Sequence, residues 1–448
     1  MSRFPQPPDF FGEAPPERII GTERECLIQI DSETRSKCVD AKAIRKAGYQ
    51  SASGFLNNGA NIGTDVCHIE VRTANELGPQ QAAAADEAAK MLVTNVVEAS
   101  GYRHGGVHGH SATRKGTKET THGRHENYLF PRFIENSDLF DTVMMSFLTS
   151  RTFAMSGMVR NKFELSQKVS DVADPPLTRG ISRRMSVGNK PMATIPSSQD
   201  DRDIFSDKNW ARLEVRFSDA GFSPTINYLS FAATSLVLRM IEHESMIDVN
   251  MLKEFSFKHM ARAAKTFNKD LTFTRAAETV EGARISALNY QEMLADTAEE
   301  LNTRIDLPDD ELVAISLWHE VIDEMRGSNL AQGEYGKLLY MTDFAPLHKY
   351  LHQAHTADTI KSTNKIVNAK QLMWYRIDPE GGAMTWWRNH PSPYVSWQEI
   401  VDCLYLPPPT SGMARGDRVA KASKAIWSAV EIDGQWEWFK NPYDTKED

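Results

Sequence analysis

The stretch Arg18 to Ile30 reads RIIGTERECLIQI. Apolar and polar residues alternate along it, the period-two pattern of a strand with one face in a core and the other towards solvent. Glu23 and Glu25 stand two apart, so both carboxylates leave the same face of the sheet. Side by side they repel. Strands keep such a pair either where water solvates it or where a cation neutralises it, and hard Mg2+ or Mn2+ with oxygen ligands suits the second case. From these residues alone a solvated edge and a metal-bearing strand both stay open.

Outward from this strand, Thr64 to Thr73 (TDVCHIEVRT) repeats the alternation. His68 and Glu70 share a face there, while Asp65 falls on the other face of a regular strand and needs a bulge to come round. In RHENY (Arg124–Tyr128), His125, Glu126 and Asn127 offer nitrogen and oxygen ligands. Strand patterns return at Arg124–Phe130, Ile181–Val187 and Trp210–Phe217. Pro79–Val97 has proline in its first turn and an alanine-rich body, which predicts a helix. Pro224–Glu242, Ala287–Glu300, Asp309–Met325 and Asp343–His352 predict further helices. Strands early and helices late give an α+β fold.

A proline-rich lead (residues 1–17) precedes a main domain over 18–405. Beyond it the turn-rich PPPTSG (Pro407–Gly412) opens a small C-terminal domain, 406–448, where IWSAVEIDGQWEWF alternates around an Asp433-Gly434 hairpin turn.

With 448 residues, 41% of them apolar, the chain is large enough for a substantial core. Sixty Asp and Glu against 51 Lys and Arg leave a net charge of −9, so nothing attracts it generally to nucleic acid or to an anionic membrane. Cys26, Cys38, Cys67 and Cys403 lie scattered without CxxC pairing and read as thiols of a reducing cytosol. The N-terminus lacks the basic and apolar regions of a signal peptide, and no apolar run is long enough to span a bilayer, so a cytoplasmic protein is expected. The tract HGGVHGH (His104–His110) reads as polar lining, Cys67 as a small buried residue, and Trp386 with Trp387 as packing aromatics.

Together RIIGTERE (Arg18–Glu25), NGANIGTDVCHIEVRT (Asn58–Thr73), HENYL (His125–Leu129), ARLEV and LVLRMIE between Ala211 and Glu242, SALNYQEML (Ser286–Leu294) and KNPY (Lys440–Tyr443) resemble the Pup ligase and depupylase family. The resemblance implies a glutamine-synthetase-like fold, with a curved antiparallel sheet packed with helices. It implies ATP and Mg2+ as cofactors, with Mn2+ as an alternative ion. Glu23, Glu70 and Glu126 match its metal positions, with Glu25 beside them. Asp65 matches its catalytic aspartate, and Arg184, Arg212 and Arg415 match basic positions. Thr73 and Trp427 match nucleotide-contacting positions, and His125 is placed with the cofactor. The partners implied are a carboxylate donor such as a small Pup-like protein and an amine or protein-lysine acceptor.

Departures accompany these matches. The family usually has Arg where this chain has Asn61, and Tyr where it has Gly63. An NTRDEPH-like segment is replaced by TIPSSQD (Thr194–Asp200), a GDSN-like turn by Ser218-Asp219-Ala220-Gly221, and the arginine before Ala414–Gly416 is missing. Fewer guanidinium groups remain to offset phosphoryl charge.

In the ligase reading, ATP phosphorylates a carboxylate, an amine attacks the acyl phosphate, Asp65 takes the ammonium proton, and Arg184 or Arg212 offsets phosphoryl charge. In the depupylase reading the same pocket hydrolyses an amide and keeps the nucleotide as cofactor. Thr22 and the short Asp65-to-Glu70 spacing favour the depupylase branch. The segment Leu27–Asn57 has little room for that branch's long insertion, and this favours the ligase. A non-catalytic nucleotide-binding homologue is the third reading.

Overall fold

The computed structural model describes residues 17–28, 56, 58–65, 68–100, 107–108, 123–159, 162–166, 168–169, 181–182, 193–195, 210–352, 382–405, 424–425, 429–432 and 435–438. Most of the N-terminal lead, the Pro407–Gly412 linker, the Asp433-Gly434 turn, KNPY and most of His104–His110 lie outside them.

The first strand of the sequence is the hub of the sheet. β1 (Ile19–Ile28) pairs antiparallel with β3 (His68–Arg72) on one side and β4 (Arg124–Pro131) on the other. β2 (Asn61–Asp65) flanks β3, and β5 (Trp210–Ser218) flanks β4. The order β2-β3-β1-β4-β5 continues through the short strands Ala193–Thr194 and Ile181–Ser182.

One expectation needs correction. The alternating run Thr64–Thr73 is a hairpin rather than a single strand, with Asp65 opposite His68. The core-facing residues are even-numbered on β2 (Ile62) and odd-numbered on β3 (Ile69, Val71), a change of phase that a bulge within one strand would also produce.

Odd and even positions divide the sheet sharply. Ile20, Ile62, Ile69, Val71, Tyr128, Phe130, Ala211, Leu213 and Val215 are all buried in one continuous core. Helices close that face. α1 (Gly78–Ser100) begins at Gly78, whose φ of 83° glycine reaches cheaply, with Pro79 in the first turn. Its buried alanines, Ala82 to Ala85 with Ala88 and Ala89, let it lie close to β1 and to α2 (Pro224–Glu242). Ser223 caps α2, its Oγ accepting from Ile226 N at 3.2 Å. Every residue from Pro224 to Ile241 is buried, so α2 is a central helix packed on all sides. α3 (Ala287–Asn302), α4 (Asp309–Arg326) and α5 (Phe344–His352) extend the helical half, as the sequence predicts.

Near the C-terminus Ala429–Ile432 and Gln435–Trp438 pair antiparallel with Ile432 opposite Gln435, the register expected of the hairpin. Among the described residues Cys26 and Cys403 are free thiols, and burial pushes the Cys26 thiol up to about 12. No helix among them is long and apolar enough to cross a membrane. Trp387 is buried in the core, and Trp386 stacks on His390.

Candidate active site

The face of the sheet away from the core helices carries the charges. Glu23 stands opposite Arg72 on β3 and His125 on β4, and Glu25 stands opposite Glu70. Asn127 pairs in register with Glu214, Asn61 with Arg72 and Gly63 with Glu70. Strand alternation therefore brings Glu23, Glu25, Glu70 and Glu214 together with Arg72, His125, Arg212 and Arg216.

Their contacts form a chain. His125 Nδ1 lies 3.2 Å from Glu23 Oε2 and 3.6 Å from Glu214 Oε1, and Arg216 Nε lies 3.4 Å from Glu214 Oε1. Arg212 donates to Asn127 Oδ1 at 2.5 Å. Arg72 is ion-paired with Glu70 and donates through Nη1 to Asn61 Oδ1 at 3.0 Å. The Gly123 amide donates to Glu25 Oε2 at 3.0 Å. Burial works to raise the Glu23 pKa, but the His125 hydrogen bond and the His125, Arg72 and Arg212 charges prevail and hold it at about 2. Glu23 is thus ionised at any working pH.

The sequence-derived residues divide between the two faces. Glu23, Glu25, Glu70, His125 and Arg212 meet on the charged face. Asp65 ends β2, and its register position follows Gly63, the partner of Glu70, by two residues with no bulge between β2 and β3. The hairpin thereby removes the need for the bulge expected of a single strand.

Glu126 does not join them, which corrects its grouping with the metal ligands. It follows His125 directly and so points to the opposite face. It is fully buried there and accepts from Arg124 at 2.9 Å, Arg151 at 2.9 Å, Ser218 at 2.6 Å and Tyr128 at 2.8 Å. Burial pushes its pKa up, yet the Arg151 and Arg124 charges with the Arg151 and Ser218 hydrogen bonds hold it at about 2. Thr73 is also committed to the protein: its hydroxyl accepts from Thr22 N at 2.9 Å and donates to Ala74 O at 3.0 Å. Arg184, Arg415 and Trp427 lie outside the described residues.

Beneath the charged face a buried network braces the strands. Arg24, between Glu23 and Glu25, donates to Asp86 Oδ2 on α1 at 2.5 Å and to Gly221 O at 2.6 Å. Asn227 on α2 donates to Asp86 Oδ2 at 3.1 Å. Burial raises the Asp86 pKa, but Arg24 and Arg124 outweigh it and hold the carboxyl at about 2. The Ser218–Gly221 turn is structural here. Asp219 is buried and accepts from Ser156 N and Ser166 Oγ, both at 3.0 Å.

The donor chemistry fits a divalent ion in one specific way. Among the described residues no three His, Cys, Asp or Glu side chains converge as a cage. Glu23, Glu25 and Glu70 nevertheless present hard carboxylate oxygens at adjacent register positions. Mg2+ is commonly held by one or two carboxylates plus phosphate oxygens, so these residues fit an ion that arrives with a nucleotide.

Reading residues singly misses Arg72, Glu214 and Arg216. The signal was present: Arg212, Glu214 and Arg216 alternate with Ala211, Leu213, Val215 and Phe217, and Arg72 continues the His68, Glu70 series. Asn61, where the family usually has Arg, is the register partner of Arg72, so a guanidinium is present at this place on the neighbouring strand.

Solved structures share this architecture. A crystal structure of the complex between the prokaryotic ubiquitin-like protein Pup and its ligase PafA matches with a TM-score of 0.78 at 17% identity, covering 96% of this chain and 90% of that one. The Pup ligase PafA in complex with ADP matches with a TM-score of 0.72 at 16% identity, covering 94% of each chain. The fold is that of the glutamine-synthetase-like ligases. Residues 16–440 match the family model described as Pup-ligase protein, and the chain belongs to that family. Among its relatives, the Pup–protein ligase of Acidimicrobium ferrooxidans is 24% identical over 392 residues, covering 86% of this chain and 83% of the relative.

Proposed function

We propose that this chain is an ATP- and Mg2+-dependent ligase of the cytoplasm that joins a carboxylate of a Pup-like protein to a lysine amine through an acyl phosphate. The observation that carries this reading is the charged sheet face, where Glu23 and Glu70 lie beside Arg72, His125 and Arg212 in a member of the Pup-ligase family.

Phosphoryl transfer needs positioning and charge compensation more than covalent help from the protein. Glu23, Glu25 and Glu70 would hold the metal, which would supply Lewis-acid polarisation and charge neutralisation at the phosphates. His125 fixes the orientation of the Glu23 carboxylate, and Glu214 approaches the same ring nitrogen, Nδ1. Arg212, with Arg184, offsets charge on the transferring group. Asp65 accepts the proton lost as the lysine ammonium becomes a nucleophile. Arg415 and Trp427 carry nucleotide contacts by the family resemblance, whereas the Thr73 hydroxyl, engaged with Thr22 and Ala74, sets the strand end.

The test counts ADP and conjugate together, using purified protein, ATP, Mg2+, a Pup protein ending in glutamate, and a lysine-bearing acceptor. One ADP per isopeptide bond, dependent on both tag and acceptor, is expected. Cleavage of a Pup conjugate with a non-hydrolysable ATP analogue, without ADP formation, would replace this reading by the depupylase one. Nucleotide binding without either reaction would leave a non-catalytic homologue.

A further inference from the structure

Arg72 is placed where a cation is wanted and where a metal ion is to arrive. It stands opposite Glu23 across β1 and is ion-paired with Glu70 two residues before it. Its Nη1 is tethered to Asn61 Oδ1 at 3.0 Å. Gly63 leaves it this position, since a Cβ there would lie 3.3 Å from the same Nη1. The Arg72 side chain is 23% exposed and that of Glu70 only 5%, so the guanidinium is the partner on the solvent side. It can leave without opening the core.

A guanidinium and a divalent cation repel each other, and they compete for the same carboxylate oxygens. Arginine has planar donors that suit phosphate as well as carboxylate. We propose that Arg72 is a placeholder cation. It neutralises Glu70 in the empty site, yields that carboxylate when the metal-nucleotide arrives, and turns its guanidinium to a phosphate oxygen. The inference rests on the metal-nucleotide site proposed above and assigns Arg72 two opposing effects within it. In the empty protein it weakens binding of the bare ion, and in the loaded protein it strengthens binding of the nucleotide. It thereby disfavours futile loading with metal alone.

Calorimetric titration of wild type, Arg72→Met and Arg72→Lys with Mn2+ alone and with Mg-ATP separates these effects. In Arg72→Met, Mn2+ alone should bind about threefold to tenfold more tightly, because a partly exposed ion pair no longer competes. Mg-ATP should bind the same variant about tenfold or more weakly, as expected for loss of a charged hydrogen bond. Arg72→Lys, retaining the charge, should stay near wild type with Mn2+ and recover part of the Mg-ATP affinity. If Arg72→Met weakens both ligands alike, or neither, Arg72 is a structural support of Glu70 and the placeholder role is overturned. If wild type itself binds no Mg-ATP, the functional reading falls together with the inference.

Discussion

Glu25 and Glu70 are register partners across β1 and β3. Like charges directly opposite each other destabilise a ladder, and here the Gly123 amide holds one carboxylate and Arg72 the other. A divalent ion arriving with nucleotide relieves the same repulsion. Mg-ATP should therefore raise the melting temperature of the wild type, a ligand at about a hundred times its Kd adding about 2.7 kcal/mol. Glu70→Gln should melt near wild type without ligand and lose most of that rise. A full nucleotide-dependent shift in Glu70→Gln would sink the metal assignment.

Glu23 and Glu126 should respond to the same substitution in different ways. Glu126→Gln leaves Arg124 and Arg151 buried without their full counter-charge, and breaking a buried pair costs about 3–5 kcal/mol. Glu23→Gln lies on the partly exposed charged face and should cost less stability than Glu126→Gln while weakening Mg-ATP severely. Urea unfolding and calorimetry on both variants check the pair. Equal stability losses would remove the distinction between bracing face and binding face.

The sheet was legible because one of its faces is apolar. Alternation in Arg18–Ile30, Arg124–Phe130 and Trp210–Phe217 marked three of the central strands, and the long helices were marked by proline in the first turn and by apolar content. The β2–β3 hairpin left only a change of phase, from the even-numbered core residue Ile62 to the odd-numbered Ile69 and Val71, and a bulge would leave the same mark. Within the site, Glu23, Glu25 and Glu70 could be placed by period two and by family resemblance. The same period excludes Glu126 from the face of His125, a consequence that resemblance to a motif conceals. The buried pairing of Arg24 with Asp86 had no local signal: the two residues lie 62 positions apart and meet only when α1 packs on β1.

Gly221 is a second place where the brace can be tested. A Cβ added there would lie 2.7 Å from Asp343 Oδ2 and 2.9 Å from Asn227 Oδ1, both on buried residues. Asp343 is held in place by the amides of Phe222 at 2.9 Å and Ser223 at 2.8 Å, so it has little room to give way. Gly221→Ala should lose about 1–3 kcal/mol in chemical denaturation, the usual cost of overpacking. Wild-type stability in this variant would mean that the turn is looser than its contacts require.

Asp65→Asn keeps the shape of the side chain and removes its basicity. Nucleotide affinity and melting temperature should stay near wild type while conjugate formation falls by about a hundredfold or more, the scale of a lost general base. Single-turnover assays with preformed acyl phosphate would separate the attack from phosphorylation. Unchanged turnover would assign Asp65 a structural role.

Acid should unfold the protein through its buried carboxylates. Asp86 and Glu126 are held at about 2 in the fold, against ordinary values of 3.8 and 4.5. An acid with a depressed folded pKa contributes its full stability above the unfolded value, and loses it as pH falls through the folded one. Stability should therefore drop between about pH 4 and pH 2, by up to about 2–3 kcal/mol for each group. Below about pH 4 the raised carboxyls Asp219, Asp310 and Asp343, at about 6, and Glu76, at about 8, are already protonated in the folded state and oppose less of this fall than they do above it. Urea unfolding at pH 4, 3 and 2 measures the slope. Glu126→Gln has one such carboxylate fewer and should show a shallower decline than the wild type. A wild-type stability that stays flat from pH 4 to 2 would show that Asp86 and Glu126 do not depend on their ionised pairing with Arg24, Arg124 and Arg151.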